Sequence, residues 1–208
     1  APEYAGGKVV SGVGGGVCQV STTLYNAVIN AELEVVERSP HSMVVHYVNV
    51  SRDAAISGNY KDLKFKNNTK SLIYIAASAK GGVLSFKIFG EDTREKDRKI
   101  TFESEIVEEK QPEGEVITVD ATKPSGYREV TQSAHTGYNA KLWKIIYIKG
   151  VKKKRVLVNT SSYNAEPPHV TVGKQQEVKK EENTKIDKKQ SEQKKTETKK
   201  NTEKKEED

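Results

Sequence analysis

Between residues 19 and 31 apolar side chains return at the spacing of a helix face: Val20, Leu24, Ala27, Val28 and Ala31 share one stripe. Cys18, Thr22, Tyr25 and Ile29 lie on the opposite side, so the segment reads as a helix covered on both faces and central to its domain. After it the period changes from helical to two. Residues 43–50 alternate and are rich in valine, residues 62–66 alternate apolar with basic, and residues 72–76 form a short apolar run. Lys80-Gly81-Gly82 reads as a hairpin turn into residues 83–89. The pattern predicts an α+β first domain over residues 1–90, with a central helix packed on a largely antiparallel sheet.

Residues 91–99 are almost all charged and read as a linker. Beyond them helical periodicity disappears. Strand-like stretches at 100–108, 115–119, 142–148 and 155–159 are separated by glycines and polar turns. They carry few bulky side chains on either face, which predicts an elongated, thin, all-β module over residues 100–173. From Lys174 to Asp208 the only apolar side chains are Val178 and Ile186. Such a composition buries too little surface to offset the entropy of ordering, so residues 174–208 read as a disordered, Lys/Glu-rich tail.

Composition narrows the classes of function. With 34% apolar and 31% charged residues in 208, the core is limited and one or two domains fit. The net charge of +6 invites a nucleic-acid reading. In the tail, however, lysines alternate with nearly as many acids and no aromatic is interleaved for base stacking. The segment reads as a solvated polyampholyte with no nucleic-acid partner, loose attraction to an anionic wall polymer being the alternative. No stretch approaches the roughly 18 apolar residues of a membrane span. The chain opens on Ala1-Pro2-Glu3 without Met, so it reads as a fragment, and membrane attachment is expected only through an upstream segment.

Candidate chemistry centres on Cys18, the one cysteine, within GVGGGVCQVSTTLYNA. A single cysteine excludes an internal disulfide, a CxxC pair and a multi-cysteine zinc knuckle. Zinc held by Cys18, His41 and His46 has no recognisable ligand spacing, so no metal and no cofactor is expected. At the first turn of a helix a thiolate is favoured, and free amide groups are at hand. Gly14, Gly15 and Gly16, with Val17 and Gln19, would form a substrate loop whose amides stabilise an oxyanion. His41, His46 and Asp53 follow and supply candidates for a base and its orienter. The residues alone leave two readings of Cys18 open, a nucleophile or a small packed side chain.

GVGGGVCQVSTTLYNAVINAELEVVERSPHS, with RDAAISGNYKDLKFKN and the GGVLSFKIFG hairpin, resembles the VanW-like family of bacterial surface proteins over residues 1 to about 90. The resemblance implies peptidoglycan L,D-transpeptidase chemistry with Cys18 as nucleophile. The thiolate would attack the carbonyl joining the third residue of a stem peptide to its terminal D-alanine. D-alanine would leave, and the amine of a second stem would resolve the thioester into a 3-3 cross-link. The HS element places the base at His41 and the RDA element places the orienter at Asp53, while Ser42, Tyr47 and residues 61–67 are candidates to line the cleft. Family domains extend upstream of APEY, so the resemblance implies the C-terminal part of such a domain.

Residues 100–173 resemble a G-five cell-surface domain through Gly114, Gly126, Gly137, Gly150, Gly173 and the ending NTSSYNAEPPHVTVG. That resemblance implies adhesion to N-acetylglucosamine-containing glycan. Tyr127, Tyr138 and Trp143 are candidates to stack on sugar rings, packing within a thin sheet being the other reading. Together the resemblances imply an extracytoplasmic protein of the wall or cell surface whose partners are peptidoglycan stem peptides and glycan. Two alternatives remain: a cysteine peptidase or amidase of wall peptides, and a non-catalytic adhesin or scaffold.

Overall fold

The computed structural model describes residues 2–5, 8–11 and 16–174, the first two stretches as backbone strands only. In chain order the elements are β1 (Pro2–Ala5), β2 (Lys8–Ser11), α1 (Val17–Asn30), β3 (Glu34–Arg38), β4 (Leu63–Lys66), β5 (Tyr74–Lys80) and β6 (Val83–Phe89). They continue as β7 (Arg98–Lys110), β8 (Val116–Asp120), β9 (Arg128–Gln132), β10 (Gly137–Ile148), β11 (Val151–Tyr163) and β12 (His169–Gly173). The chain is thus mostly β with one short helix. Two compact units are formed. The larger holds the described residues up to Thr118 and Arg128–Thr171, and the smaller holds Val119–Tyr127 and the described residues from Val172.

In the larger unit the first ninety residues form separate antiparallel pairs, β1 with β2, β3 with β4 and β5 with β6, rather than one continuous sheet. The turn between β5 and β6 is the expected one: Gly81 and Gly82 take φ of 59 and 76, the left-handed pair that matches the twist of a two-residue hairpin. The alternating segment at residues 43–50 is not a strand. Met43 and Val45 are buried, so the alternation does mark an inner side, but the backbone has no ladder partner. His41 N–H donates to the Asp53 side chain, and Ser42 O accepts from Asn164 N. Strand β3, which pairs with β4, carries no alternation that would single it out in the sequence.

The helix begins two residues before the expected residue 19, and it is buried mainly on the side of Thr22, Tyr25 and Ile29, with Val28 the one fully buried member of the apolar stripe. Ser21, Thr22, Tyr25, Val28 and Ile29 face inward, whereas Val20 is 43% exposed. Two hydroxyls can be buried here because they find partners. Ser21 Oγ donates to Ala54 O at 2.5 Å, and Thr22 Oγ1 accepts from Ala54 N at 2.9 Å. The helix ends in a reciprocal pair of bonds, Glu32 N to Ile29 O and Leu33 N to Val28 O, with Glu32 at φ 59. A left-handed glutamate is unfavourable by roughly 1 kcal/mol. Its carboxylate is held in compensation by Arg98 and by Lys144 at 2.9 Å.

Strand β10 runs between β11 and β7, antiparallel to both. The charged stretch at 91–99 is shorter than expected as a connection, because Arg98 and Lys99 already belong to β7. A second three-stranded sheet has the order β8-β12-β9. Strands β9 and β12 carry no clear signal in the sequence pattern. The main core joins the helix to the long sheet: Tyr25 and Ile29 of α1 meet Ala54 and Leu142, with Val35, Leu63, Phe102 and Val158 against them. The expected tail lies beyond Lys174, outside the described residues.

Gly137, at the start of β10, has no room for a side chain. A Cβ there would lie 2.4 Å from Ala165 N and 2.6 Å from Tyr163 O, both backbone atoms. Gly137→Ala is therefore expected to cost about 1–3 kcal/mol of stability, read from the urea midpoint. An unchanged midpoint would show that the backbone opens there freely.

Candidate active site

The inner face of α1 fixes the segment that follows residue 50. Asn26 Nδ2 donates to Arg52 O at 2.8 Å, and Ser21 and Thr22 grip Ala54. Asp53 lies between these anchors, 1% exposed. Its two carboxylate oxygens serve different neighbours. Oδ2 accepts from His41 N at 2.7 Å and from His41 Nδ1 at 2.8 Å. Oδ1 accepts from Arg38 Nη2 at 2.7 Å and from Tyr163 OH at 2.6 Å. A carboxylate offers about four lone-pair sites, so this one is saturated.

Burial opposes ionisation of Asp53, but the hydrogen bond from His41, the Arg38 charge and the Tyr163 hydroxyl outweigh it, and the carboxyl sits at about 2. The same arrangement acts in reverse on Tyr163, which burial and the Asp53 charge push up to about 12. Because an ionised carboxylate only accepts, His41 Nδ1 carries the proton. Nε2 is then turned toward the hydroxyl of Tyr47, 3.5 Å away, with the rings edge to face. Tyr47 is itself 45% exposed, whereas His41 is buried. Lys61 Nζ donates to Pro40 O at 2.8 Å and steadies the turn that presents His41.

Cys18 lies in the first turn of α1, half-buried. Its thiol donates to Ile56 O at 3.6 Å, three residues beyond Asp53. Among the described residues no hydrogen bond joins it to His41. Gly16 caps the helix with φ −120, and its carbonyl accepts from both Gln19 N and Val20 N. The Gln19 amide is thereby used within the helix, and the amides of Val17 and Cys18 are the ones with no acceptor in it. Gly14 and Gly15 lie outside the described residues. His46 is exposed and makes no part of the Asp53 cluster.

Trp143 donates from Nε1 to Glu105 Oε2 at 2.5 Å, and the Arg155 guanidinium lies over its ring at 4.0 Å from the centroid, so one face is covered. Tyr138 is half-buried on β10. Tyr127 belongs to the smaller unit, with Lys123 Nζ 5.0 Å from its ring centroid. Among the described residues no group of His, Cys, Asp or Glu is arranged to hold a metal ion, and no helix is long and apolar enough to cross a membrane.

Two members of the Asp53 cluster are missed by sequence reasoning. Arg38 and Tyr163 resemble ordinary strand-end residues, and only the alternation of Asn159, Ser161 and Tyr163 in NTSSY hints at a shared polar face.

Residues 1–89 match the family described as VanW like protein, and residues 102–175 match the G5 domain, which follows it along the chain. A VanW-like stretch with a G5 stretch indicates a bacterial cell-wall-associated protein. One relative, the uncharacterised protein YoaR of Bacillus subtilis (strain 168), is 41% identical over 92 residues, a stretch covering 44% of this chain and 30% of that protein. The chain therefore spans less than a third of this relative's length. Among solved structures, the IgA1 protease G5 domain is 19% identical with a TM-score of 0.26, covering 38% of this chain and 94% of that one. The HP0197-G5 crystal structure is 20% identical with a TM-score of 0.21, covering 36% of this chain and 99% of that one.

Proposed function

We propose that this protein acts outside the cytoplasm on the bacterial wall as a cysteine acyl transferase, a peptidoglycan L,D-transpeptidase held at its substrate by a glycan-binding G5 module. The observation that carries this reading is the His41–Asp53 pair. A saturated, buried carboxylate fixes the imidazole in the tautomer that leaves Nε2 as the base and turns it toward Tyr47. In the reaction His41 Nε2 takes the proton of the Cys18 thiol, and the sulfur attacks the stem-peptide carbonyl. The amides of Val17 and Cys18 receive the developing oxyanion. The C–N bond to D-alanine breaks as His41 returns the proton to the leaving amine. The amine of a second stem then attacks the thioester, regenerating the thiol and forming the cross-link. Binding to glycan keeps the reacting domain at a high effective concentration of stems.

This reading requires the thiol to leave Ile56 O and turn to His41 when substrate binds. Catalytic hydrogen bonds are often long or unmade in free enzymes and tighten in the complex. The same thiol contact favours a second reading, a non-catalytic wall scaffold in which Cys18 only packs. Product analysis separates them. Incubation with disaccharide-tetrapeptide muropeptides is expected to release D-alanine and yield 3-3 cross-linked dimers, both lost in Cys18→Ala. Tripeptide monomers in place of dimers would indicate hydrolysis, and no product from the folded wild type would leave the scaffold reading.

A further inference from the structure

Strand β11 contributes one face to the first ninety residues, and that face is polar. Asn159, Ser161 and Tyr163 are alternate residues of the strand, so their side chains point the same way. Asn159 Nδ2 donates to Tyr25 OH at 2.6 Å and to Ser51 O at 3.1 Å. Ser161 Oγ accepts from Arg38 Nη1 at 2.7 Å. Tyr163 OH accepts from Ser51 N at 2.7 Å and donates to Asp53 Oδ1 at 2.6 Å. A strand that served only to cover a core would present apolar groups here.

The Tyr163 bonds reach Asp53 and Ser51, one Asn159 bond reaches Ser51, and the Ser161 bond reaches Arg38, a partner of Asp53. Ser51 is fully buried at φ 65, a conformation that a serine holds only when its surroundings impose it. Both of its backbone groups are tied to β11, the N–H to Tyr163 and the carbonyl to Asn159. Arg38, which shares Oδ1 with Tyr163, is itself oriented by Ser161 at one nitrogen while Nε donates to Asp53 O at 2.6 Å. The oxygen facing β11 is thus clamped twice, and the other oxygen is left to His41.

We infer that the G5 stretch completes the candidate site of the VanW-like stretch, with Tyr163 and Ser161 as positioning residues that orient Asp53 and so fix the proton of His41 on Nδ1. This rests on the proposed role of His41 as base, but its physical content is separable from any activity. Without the Tyr163 hydroxyl, Oδ1 loses a donor and the Ser51 amide loses its acceptor. The carboxylate is then free to tilt, and the imidazole is no longer held to one tautomer. The residues of the second module would matter to chemistry they do not touch.

The test uses the full chain, with 15N chemical shifts of the His41 ring read at pH 8 in wild type, Tyr163→Phe, Ser161→Ala and the double variant. Wild type is expected to show the Nδ1–H form alone. The Nε2–H form is expected to appear in each variant and to approach a share comparable with the Nδ1–H form in the double variant. Ser161→Ala removes one small hydroxyl and keeps the measurement possible if Tyr163→Phe fails to fold. His41 locked in the Nδ1–H form in folded Ser161→Ala and in every other folded variant would overturn the inference. Acylation of Cys18 by muropeptide is followed in parallel. A tautomer shift with no wild-type acylation would retain the positioning role and reject the transpeptidase. Equal acylation in wild type and variants, with His41 locked in the Nδ1–H form throughout, would reject the positioning role and retain the enzyme.

Discussion

Asp53→Asn is expected to lower stability by about 3–5 kcal/mol at pH 7, measured by urea unfolding followed by circular dichroism. The side chain is the meeting point of four donors, and Arg38 and Asp53 are 4% and 1% exposed at their side chains. Asparagine keeps the shape but places an N–H₂ where either Arg38 and Tyr163 or His41 must donate. One oxygen position becomes a donor against donors, and the Arg38 charge is left buried without its counter-charge.

The loss should depend on pH in a definite sense. The Asp53 carboxyl sits at about 2 in the fold against an ordinary 3.8. A depressed folded value contributes stability that is complete above the unfolded value and disappears as pH falls through the folded one. At about 1.4 kcal/mol per unit this contribution is about 2 kcal/mol, and most of it is lost between pH 4 and 2. The gap between wild type and Asp53→Asn should therefore narrow by roughly 1–2 kcal/mol from pH 7 to pH 2.5. Glu32, also held at about 2 by its hydrogen bonds to Arg98 and Lys144 against burial, weakens over the same window but is present in both proteins and cancels from the comparison. A gap of equal size at both pH values would contradict the charged form of the cluster.

The second large effect is expected at His41. His41→Ala should slow acylation of Cys18 by roughly 10²–10⁴-fold, the usual contribution of a positioned general base. Stopped-time labelling with muropeptide, quantified by mass, gives the rate. Stability should fall less than in Asp53→Asn, because Arg38 and Tyr163 still hold the carboxylate. A rate within threefold of wild type in folded His41→Ala would remove His41 from the chemistry and leave it as a structural partner of Asp53.

Much of this site is legible in the amino-acid sequence. Cys18 is a candidate from its place at a glycine-rich helix start, with packing as the other reading, and His41 and Asp53, which the fold pairs, are candidates from the HS and RDA elements that resemble the family. The hairpin at Gly81 and Gly82 is legible because a left-handed turn has few residue solutions. Three features are not. The burial of α1 departs from the two covered faces that its periodicity suggests: Val20 is exposed, while Ser21, a polar residue on neither stripe, is buried by bonding the backbone of Ala54. Residues 43–50 mimic a strand because alternation records which side is buried, not whether a neighbouring strand offers hydrogen bonds. Arg38 and Tyr163 escape because they meet Asp53 only through tertiary packing, Tyr163 from 110 residues away in sequence.

Intact-mass spectrometry of the full chain after incubation with disaccharide-tetrapeptide muropeptides tests the central claim most directly. The expected result is a covalent adduct whose added mass is that of the muropeptide less one D-alanine, mapped to Cys18, absent in Cys18→Ala and depleted in His41→Ala. A folded wild-type protein that forms no adduct would contradict the cysteine acyl transferase and return Cys18 to a packing role beside Ile56.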